Sequence, residues 1–320
     1  MEQIERLRRA AGSAVIDGFF KGIARTTAAL PQSRPSAHGL RRMRDIRYRS
    51  GDSDAHLLDV YRPDDDRTGL PVCIYLHGGG FRILSKDTHW MMGLAFARQG
   101  YVVFNVDYRK APECFPAAHE DACEAFRWVI ENAEAFGGDP SRVILAGESA
   151  GANLTTALVV ASCYERPEPY ARQVFETGVV PLAAIPACGI LQVSDPHRFM
   201  RRRKLPAWLF DRIEEVSEAY LGPQYVADDP TYAFADPLVM LETAQAPLRP
   251  LPPFFIPVGT KDPVLDDSRR LGAALARHAC RADVRYYPGE VHAFHAFLWR
   301  QNARDCWSHT FEFLDDVVPA

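Results

Sequence analysis

Gly147-Glu148-Ser149-Ala150-Gly151 is the stretch of sequence that decides the fold. It follows the apolar run Arg142-Val143-Ile144-Leu145-Ala146 and precedes residues 153–158, whose composition is typical of a helix. A strand, a tight turn and a helix are the context in which such a pentapeptide exposes a serine hydroxyl at the edge of a sheet. The two glycines have no Cβ atom, so the strand and the helix can approach closely. We therefore predict that Ser149 is a nucleophile at a strand-to-helix turn.

The sequence around this turn alternates short, continuously apolar runs with longer helical patterns. Such runs are typical of parallel strands that are buried on both faces, and their alternation with helices is typical of a doubly wound sheet. We predict an α/β fold with a mostly parallel central sheet flanked by helices. Pro257 weakens the prediction of the last strand, because proline donates no hydrogen bond to a sheet. The apolar runs cover residues 72–76, 102–106, 143–146 and 254–258, and the helical patterns cover residues 90–98 and 116–136.

Two regions depart from this alternation. Apolar residues before residue 31 recur at helical spacing, which predicts an amphipathic helix that needs a partner surface. A second helical pattern covers residues 206–221. We expect both regions to form a cap over the carboxyl edge of the sheet, where open α/β folds bind their ligands. The apolar residues of the first region are Ile4, Leu7, Val15, Phe19 and Ile23, and the predicted domains are an N-terminal cap region at 1–45, a catalytic domain at 46–194 and 236–320, and a cap insertion at 195–235.

A glycine-rich segment, His77-Gly78-Gly79-Gly80, directly follows the apolar run at 72–76. Successive glycines leave their backbone N–H groups unobstructed, and such groups stabilise the negative charge that develops on a carbonyl oxygen during acyl transfer. The N–H of the residue after a nucleophilic serine commonly adds a further donor. We predict an oxyanion hole formed by Gly78, Gly79 and Ala150.

The serine also needs a base and an acid. A serine hydroxyl is a poor nucleophile until a base takes its proton, and a carboxylate must hold that base in the correct tautomer. In folds with this kind of serine turn, the acid and then the histidine follow the serine along the chain. Asp262 lies on the loop after the run at 254–258, and His292 follows the alternating residues 283–287. We therefore predict Asp262 as the acid and His292 as the base.

Neighbouring residues leave alternatives for both roles. Asp266 and Asp267 are rival acids, but they lie where the next helix should begin and could instead favour its N-terminal dipole. His295, three residues after His292, is a rival base that could share a helical face with it. His278 and His309 lie in helical patterns, which is more typical of surface residues.

Composition excludes several classes of protein. The 320 residues are 47% hydrophobic and 24% charged, which is ordinary for a globular chain with a substantial core. The net charge is only −4, and the basic run at residues 201–204 contains no aromatic residues, so we expect no nucleic-acid partner. We interpret that run as a solvated surface segment.

The cysteines and the N-terminal segment give further expectations. Seven cysteines occur at irregular spacing, with Cys73 in an apolar run and Cys123 in a helical pattern, so they are typical of small core residues. Neither a disulfide framework nor zinc-like spacing is present in the sequence, and we predict no metal and no cofactor. The charged N-terminal segment is a poor signal peptide, and no uninterrupted apolar run is long enough for a membrane span. We therefore predict a cytoplasmic protein.

The chain resembles the bacterial hormone-sensitive-lipase-like esterases, also called family IV carboxylesterases. This resemblance covers most of the chain from about residue 45 and implies an α/β-hydrolase fold with a cap built partly from the N-terminal region. It also implies a triad of Ser149, Asp262 and His292 that hydrolyses short-acyl esters without cofactor or metal. Two residues depart from the family pattern: Glu148 stands where aspartate is common, and Ala293 stands where glycine is frequent. The motifs that carry the resemblance are His77-Gly78-Gly79-Gly80, Tyr108-Arg109-Lys110-Ala111-Pro112-Glu113, the turn at 147–151, Asp262-Pro263 and His292.

We therefore expect a serine carboxylesterase that acts on small, short-acyl esters through an acyl-enzyme intermediate. A serine amidase or peptidase is an alternative, because an oxyanion hole does not distinguish an ester from an amide. A non-catalytic small-molecule receptor on the same fold is a second alternative, although a complete triad argues against it. The expected partner is a small ester, and a homo-oligomer is left open.

Overall fold

The computed structural model describes residues 30–319, apart from 203 and 228, together with scattered positions between 12 and 26, which are helical. Within these residues eight strands form one sheet. In chain order they are β1 (Leu40–Arg47), β2 (Leu57–Pro63), β3 (Leu70–Leu76), β4 (Val102–Val106), β5 (Gly138–Glu148), β6 (Ala183–Ala187), β7 (Phe254–Gly259) and β8 (Ala282–Tyr287).

The sheet is parallel except at one end. Its strand order is β1-β2-β4-β3-β5-β6-β7-β8. β2 is antiparallel to β1 and to β4, and all other neighbours are parallel. This arrangement confirms the predicted α/β fold. The helices are α1 (Trp90–Ala97), α2 (Ala117–Asn132), α3 (Ala150–Cys163), α4 (Pro169–Glu176), α5 (Arg198–Arg202), α6 (Ala207–Leu221), α7 (Pro237–Thr243), α8 (Leu265–Arg277) and α9 (Gln301–Val317), with short 3-10 turns at Pro31–Ser33, Pro35–His38, Asp54–His56, Ala133–Phe136, Pro230–Ala235 and Phe294–Ala296.

Side chains alternate between the two faces of the central strands, and each face is covered by its own helices. Ile74 and Leu76 of β3 belong to a core that includes residues of α2, α3 and α8. Cys73 and Tyr75 point to the opposite face, where they pack with residues of α1 and α9. Both faces are therefore buried, which explains why the central strands are continuously apolar in sequence.

Proline is accommodated within β7. The carbonyl oxygen of Pro257 accepts a hydrogen bond from the N–H of Cys188 at 3.1 Å, so the missing donor of Pro257 faces β6. β6 and β7 share a single paired position, Ala184 with Phe254. The proline therefore removes little from the ladder, and the strand predicted over 254–258 is confirmed.

The alternation at residues 46–48 and 58–61 predicts two antiparallel strands, which the structure confirms as β1 and β2, but β1 begins earlier than predicted. β1 starts at Leu40, so the predicted boundary between residues 45 and 46 falls inside this strand. Arginines interrupt the alternation of apolar residues in the first part of β1. One of them, Arg42, donates hydrogen bonds to the buried carboxylate of Asp59 on β2. The rest of the division into cap and catalytic domain stays a prediction.

The predicted N-terminal helix is described only in part. Ile4, Leu7 and Ile23 lie outside the described residues, whereas Val15 and Phe19 are helical and exposed. The carbonyl oxygen of Ala24 accepts a hydrogen bond from Nε1 of Trp90 at 3.4 Å, which connects this segment to α1. Among the residues that the structure describes, we find no helix with the length and apolar character needed to cross a membrane.

Candidate active site

Ser149 lies at the tight turn between β5 and α3. Its φ of 54° and ψ of −113° are strained for a residue with a side chain, and such strain is concentrated at functional sites. A Cβ atom at Gly151 would lie 2.0 Å from the carbonyl oxygen of Leu76, so only glycine lets α3 pass the end of β3 this closely. The strand, turn and helix predicted from the pentapeptide are confirmed.

The glycine loop after β3 also requires its glycines. Gly79 has a φ of 122°, and a Cβ atom there would lie 2.0 Å from the carbonyl oxygen of Ile83. Gly80 has a φ of 59°, and a Cβ atom there would lie 2.6 Å from Cγ2 of Val216 on α6. A side chain at either position would displace the loop.

The predicted oxyanion-hole residues lie at the serine turn or line the cavity that Ser149 lines. Ala150 is the first residue of α3, where the helix N-terminus carries a partial positive charge. Gly78 packs against the turn so closely that a Cβ atom there would lie 2.9 Å from Cγ of Glu148. Gly79 lines the same cavity as Ser149. This arrangement is suited to stabilising an oxyanion, and the donation by Gly78, Gly79 and Ala150 stays a prediction.

His77 fixes the start of the glycine loop. Its buried ring stacks on Tyr108, with the ring centroids 4.3 Å apart and the planes at 10°. The hydroxyl of Tyr108 donates to the carbonyl oxygen of His77 at 2.6 Å, and Nε2 of His77 lies 2.9 Å from Oδ1 of Asp107. Burial lowers the pKa of His77 to about 4, although Asp107 opposes this shift. The contacts of His77 with Tyr108 and Asp107 therefore hold the start of the glycine loop in place.

Asp262 and His292 meet on the loops that follow β7 and β8. Nδ1 of His292 lies 3.0 Å from Oδ2 and 3.1 Å from Oδ1 of Asp262. Asp262 is fully buried, and its Oδ1 also accepts from the N–H of Val264 at 2.9 Å. A Cβ atom at Gly259 would lie 2.3 Å from the carbonyl oxygen of Glu290, so glycine at the end of β7 lets the two loops approach. The structure thus brings the predicted acid and base into contact.

The surroundings of His292 favour its protonated form. Desolvation alone would lower the pKa of His292, but the charge and hydrogen bond of Asp262, helped by the charge of Glu148, outweigh it and raise this pKa. An imidazole that donates its Nδ1–H to a carboxylate presents Nε2 as the acceptor on its other side. This is the tautomer that a general base requires.

The rival acids have other partners. Asp266 lies 3.5 Å from the guanidinium of Arg269 on the same helix. Asp267 is fully buried, and its carboxylate accepts hydrogen bonds from Arg198 and from the N–H of Leu191 at 2.8 Å. Neither carboxylate has a hydrogen bond to His292 among the contacts that the structure describes, so Asp262 is the acid that fits this site.

The other histidines are also engaged elsewhere. Nε2 of His295 lies 2.7 Å from Oε2 of Glu148. Nε2 of His278 lies 2.9 Å from a backbone carbonyl oxygen, and Nδ1 of His309 lies 3.0 Å from a tyrosine hydroxyl. His292 is therefore the histidine that meets the predicted acid.

A cavity of about 400 Å³ opens beside Ser149 and His292. The glycine loop forms one wall. Trp208, Leu209 and Ile213 of α6, the helix at the centre of the predicted cap insertion, line another part of it. The wall is mostly apolar, so the cavity suits an uncharged organic group.

A second cavity of about 550 Å³ adjoins the first, and Glu148 and Ala293 line both. It is rich in aromatic side chains, among them Trp90, Phe297 and Trp299. Ala293 has a φ of 54°, the conformation that favours the glycine common at this position in the family. Of the two cavities, the first is the one that Ser149 and His292 line.

Cys188, Asp262 and His292 form one group whose ligand atoms lie within 4.8 Å of one another, as a metal site would require. Asp262 and His292 are already joined by their own hydrogen bond. Burial raises the pKa of the Cys188 thiol, which opposes formation of the thiolate that a metal would bind. We therefore interpret this group as the predicted acid and base beside a buried thiol.

Two residues beside the site were missed by sequence reasoning. Cys188 follows β6, a strand that the sequence pattern did not predict. His89 lies before α1, and its Nε2 is 2.7 Å from Oε1 of Glu148. Neither residue belongs to a recognisable motif. The one sequence signal for His89 is indirect: Glu148 precedes the predicted nucleophile, and a buried carboxylate needs a hydrogen-bonding partner.

Known proteins share this architecture. A family model described as the alpha/beta hydrolase fold matches residues 73–296. The carboxylesterase NlhH of Mycobacterium tuberculosis is 34% identical over 248 residues, which cover 73% of this chain and 70% of that protein. The versiconal hemiacetal acetate esterase of Dothistroma septosporum is 28% identical over 291 residues, covering 88% of this chain and 84% of that protein. A bacterial heroin esterase has the same fold, with a TM-score of 0.76 and 21% identity over 95% of this chain and 91% of that one.

The matched region includes every predicted site residue, from the glycine loop to His292. It extends over more than half of the chain, and the similarity to NlhH covers more than two thirds of it. The chain therefore belongs to the α/β-hydrolase fold family and is a hormone-sensitive-lipase-like carboxylesterase.

Proposed function

We propose that this carboxylesterase cleaves small, short-acyl esters with Ser149 as nucleophile, His292 as general base and Asp262 as the orienting acid. The observation that carries the proposal is the hydrogen bond between Asp262 and His292 at 3.0 Å, next to a cavity that both His292 and Ser149 line. A carboxylate, an imidazole and a serine at a strained turn are the parts that acyl transfer requires.

In the first half of the reaction, Oγ of Ser149 attacks the ester carbonyl while Nε2 of His292 takes the hydroxyl proton. The N–H groups of Gly78, Gly79 and Ala150 stabilise the oxyanion that forms. The C–O bond to the alcohol then breaks, and His292 returns the proton to the leaving alkoxide. Ser149 is left as an acyl-enzyme.

In the second half, water replaces the alcohol. His292 takes a proton from this water, whose oxygen attacks the acyl carbonyl and forms a second oxyanion in the same hole. Collapse of that intermediate breaks the bond to Oγ, and His292 returns the proton to Ser149. The carboxylic acid leaves, and throughout the cycle Asp262 stabilises the imidazolium form of His292.

Two observations support a small substrate. The cavity beside Ser149 holds about 400 Å³ and is bounded on one side by α6, a volume that suits a small organic substrate. The name of the relative from Dothistroma septosporum describes an acetate ester as its substrate. We infer acetyl and similarly short acyl groups for this chain.

Replacement of Ser149 tests the proposal. We expect Ser149→Ala to lower kcat for p-nitrophenyl acetate by roughly 10⁶-fold, the loss typical when a serine hydrolase loses its nucleophile. Ser162→Ala is a matched control, because Ser162 lies in α3, the helix that Ser149 precedes, and its hydroxyl donates to the carbonyl oxygen of Leu158. Near-normal turnover by Ser149→Ala would refute the assignment. Faster cleavage of an acetanilide than of the matched phenyl acetate by the unaltered protein would indicate an amidase.

A further inference from the structure

Glu148 is a buried carboxylate that the mechanism above does not use. It is 5% exposed, and its two oxygens face two histidines. Oε1 lies 2.7 Å from Nε2 of His89, and Oε2 lies 2.7 Å from Nε2 of His295. Burial would raise the pKa of Glu148, but His89 and His295 outweigh this effect and hold it well below its usual range. The carboxylate is therefore charged and held from both sides.

The three residues belong to the three segments that carry the reacting groups. Glu148 precedes Ser149 at the end of β5. His89 ends the stretch that runs from the glycine loop to α1, and His295 is three residues after His292. The side chain of Glu148 also fills the space beside Gly78, where a Cβ atom would meet its Cγ at 2.9 Å. One side chain thus contacts all three segments.

We propose that Glu148 is a positioning residue whose carboxylate, bound to His89 and His295, holds the glycine loop, the serine turn and the His292 loop in reacting geometry. The inference rests on the proposed function, because it assumes that Ser149 and His292 react. It also gives a reason for glutamate where the family commonly has aspartate: the extra methylene lets both oxygens reach rings on opposite sides.

A charge in this position also acts on the base. The groups that face His292 are the carboxylates of Asp262 and Glu148 and the thiol of Cys188. The negative charge of Glu148 helps to raise the pKa of His292, although less than Asp262 does. Removing that charge without removing Asp262 therefore lowers the pKa of His292, and the acid limb of the kcat/KM profile moves to lower pH.

Two substitutions separate the geometry from the charge. Glu148→Gln keeps the length and removes the charge, whereas Glu148→Asp keeps the charge and is too short to reach both rings. We expect both variants to lower kcat for p-nitrophenyl acetate by about 10²-fold, the loss typical of misplaced reacting groups, with KM little changed. Only Glu148→Gln should move the acid limb to lower pH. Rates are counted per active site titrated with a fluorophosphonate, so that misfolded protein does not enter them.

His89→Asn and His295→Asn test the same contacts if a Glu148 variant fails to fold. Each should lower kcat per titrated site, and combining either with Glu148→Gln should add less than the sum of the single effects, because the residues act as one unit. His278→Asn is the matched control, since His278 contacts a backbone carbonyl away from the site. It should leave kcat unchanged.

The outcomes that overturn this inference differ from those that overturn the proposed function. If the Glu148 and histidine variants lose thermal stability but keep the kcat and pH profile of the unaltered protein per titrated site, Glu148 has only a structural role. If Glu148→Asp keeps the full activity of the unaltered protein, the carboxylate does not need to reach the rings of both His89 and His295, and the proposed geometry is wrong. If the unaltered protein does not react with the fluorophosphonate, the assignment of Ser149 itself fails.

Discussion

The carboxylate of Asp262 serves two purposes at the scale of single atoms. It accepts the Nδ1–H of His292 and, on the same oxygen that lies 3.1 Å from that ring, the N–H of Val264. The bond from the N–H of Val264 fixes the carboxylate, and the bond with Nδ1 of His292 fixes the imidazole ring. Because Asp262 is fully buried, its charge is little screened, and in the proposed mechanism it stabilises the imidazolium that forms when His292 takes a proton.

Loss of this charge should change both the rate and the pH dependence. We expect Asp262→Asn to lower kcat by roughly 10⁴-fold, as loss of the acid does in other serine triads. Since Asp262 raises the pKa of His292, its replacement lowers that pKa, and the acid limb of kcat/KM moves to lower pH. Steady-state hydrolysis of p-nitrophenyl acetate between pH 4 and pH 8 measures both effects.

Asp266→Asn is the control for this experiment. Asp266 is four residues away and lies 3.5 Å from Arg269. We expect kcat and the acid limb to be unchanged in this variant. A comparable loss of activity in Asp266→Asn, or an unmoved acid limb in Asp262→Asn, would contradict the assignment of the acid.

Position relative to the strands was enough to predict that these residues lie at one edge of the sheet. Ser149, Asp262 and His292 each follow an apolar or alternating strand, and the predicted contact between Asp262 and His292 is present, whereas their catalytic roles stay a proposal. The contacts of Glu148 could not be predicted in this way. His89 and His295 are brought to it by the packing of α1 and of the loop after β8, and no spacing in the sequence reports that packing.

At the scale of elements, a buried ion pair joins α5, which lies in the predicted cap insertion, to α8. Arg198 of α5 donates to both carboxylate oxygens of Asp267 on α8. Asp267 is fully buried and Arg198 is nearly so. A second guanidinium, that of Arg270, lies 3.8 Å from Asp267. Removing one partner of a buried pair leaves an uncompensated buried charge, which lowers the free energy of unfolding far more than breaking an exposed pair does.

We expect Arg198→Met to lower the free energy of unfolding by about 3 kcal/mol, the low end for a broken buried pair, because Arg270 remains close. The double variant Arg198→Met with Asp267→Asn should lower the free energy of unfolding less than Arg198→Met alone, since no buried charge is left unpaired. Urea unfolding followed by circular dichroism measures these differences. Arg201→Met is the control, because Arg201 pairs with Asp195 while 64% exposed, and it should cost less than about 1 kcal/mol. If Arg198→Met and Arg201→Met lower the free energy of unfolding equally, the buried pair does not anchor α5.

Elements with a strong hydrophobic pattern were predictable, and those without one were not. β6 reads Ala183-Ala184-Ile185-Pro186-Ala187, where small residues and a proline give little strand signal. The alternation at Ile46-Arg47 predicts only the end of β1, because the earlier residues of this strand include arginines that bind acidic partners. In both cases neighbouring strands decide the structure, because β6 lies between β5 and β7 and β1 pairs with β2. Tertiary pairing of this kind overrides local propensity.

At the scale of the molecule, the parallel sheet explains why distant residues form one site. The glycine loop, Ser149, Asp262 and His292 follow β3, β5, β7 and β8, which run in the same direction. Their carboxyl ends therefore meet at one edge, the place where open α/β sheets bind ligands. Residues of α6, which lies in the predicted cap insertion, line the cavity at that edge, so we expect this helix to limit the shape of the substrate.

The most direct test of the central claim is covalent labelling of the native protein with a fluorophosphonate, followed by peptide mapping. An activated serine beside an oxyanion hole reacts with this reagent, whereas a folded receptor that only binds ligands does not. We predict one label per chain, on Ser149, with loss of labelling below the pKa of His292. Labelling at another residue, or none on protein that retains its fold, would contradict the assignment of Ser149 as the nucleophile.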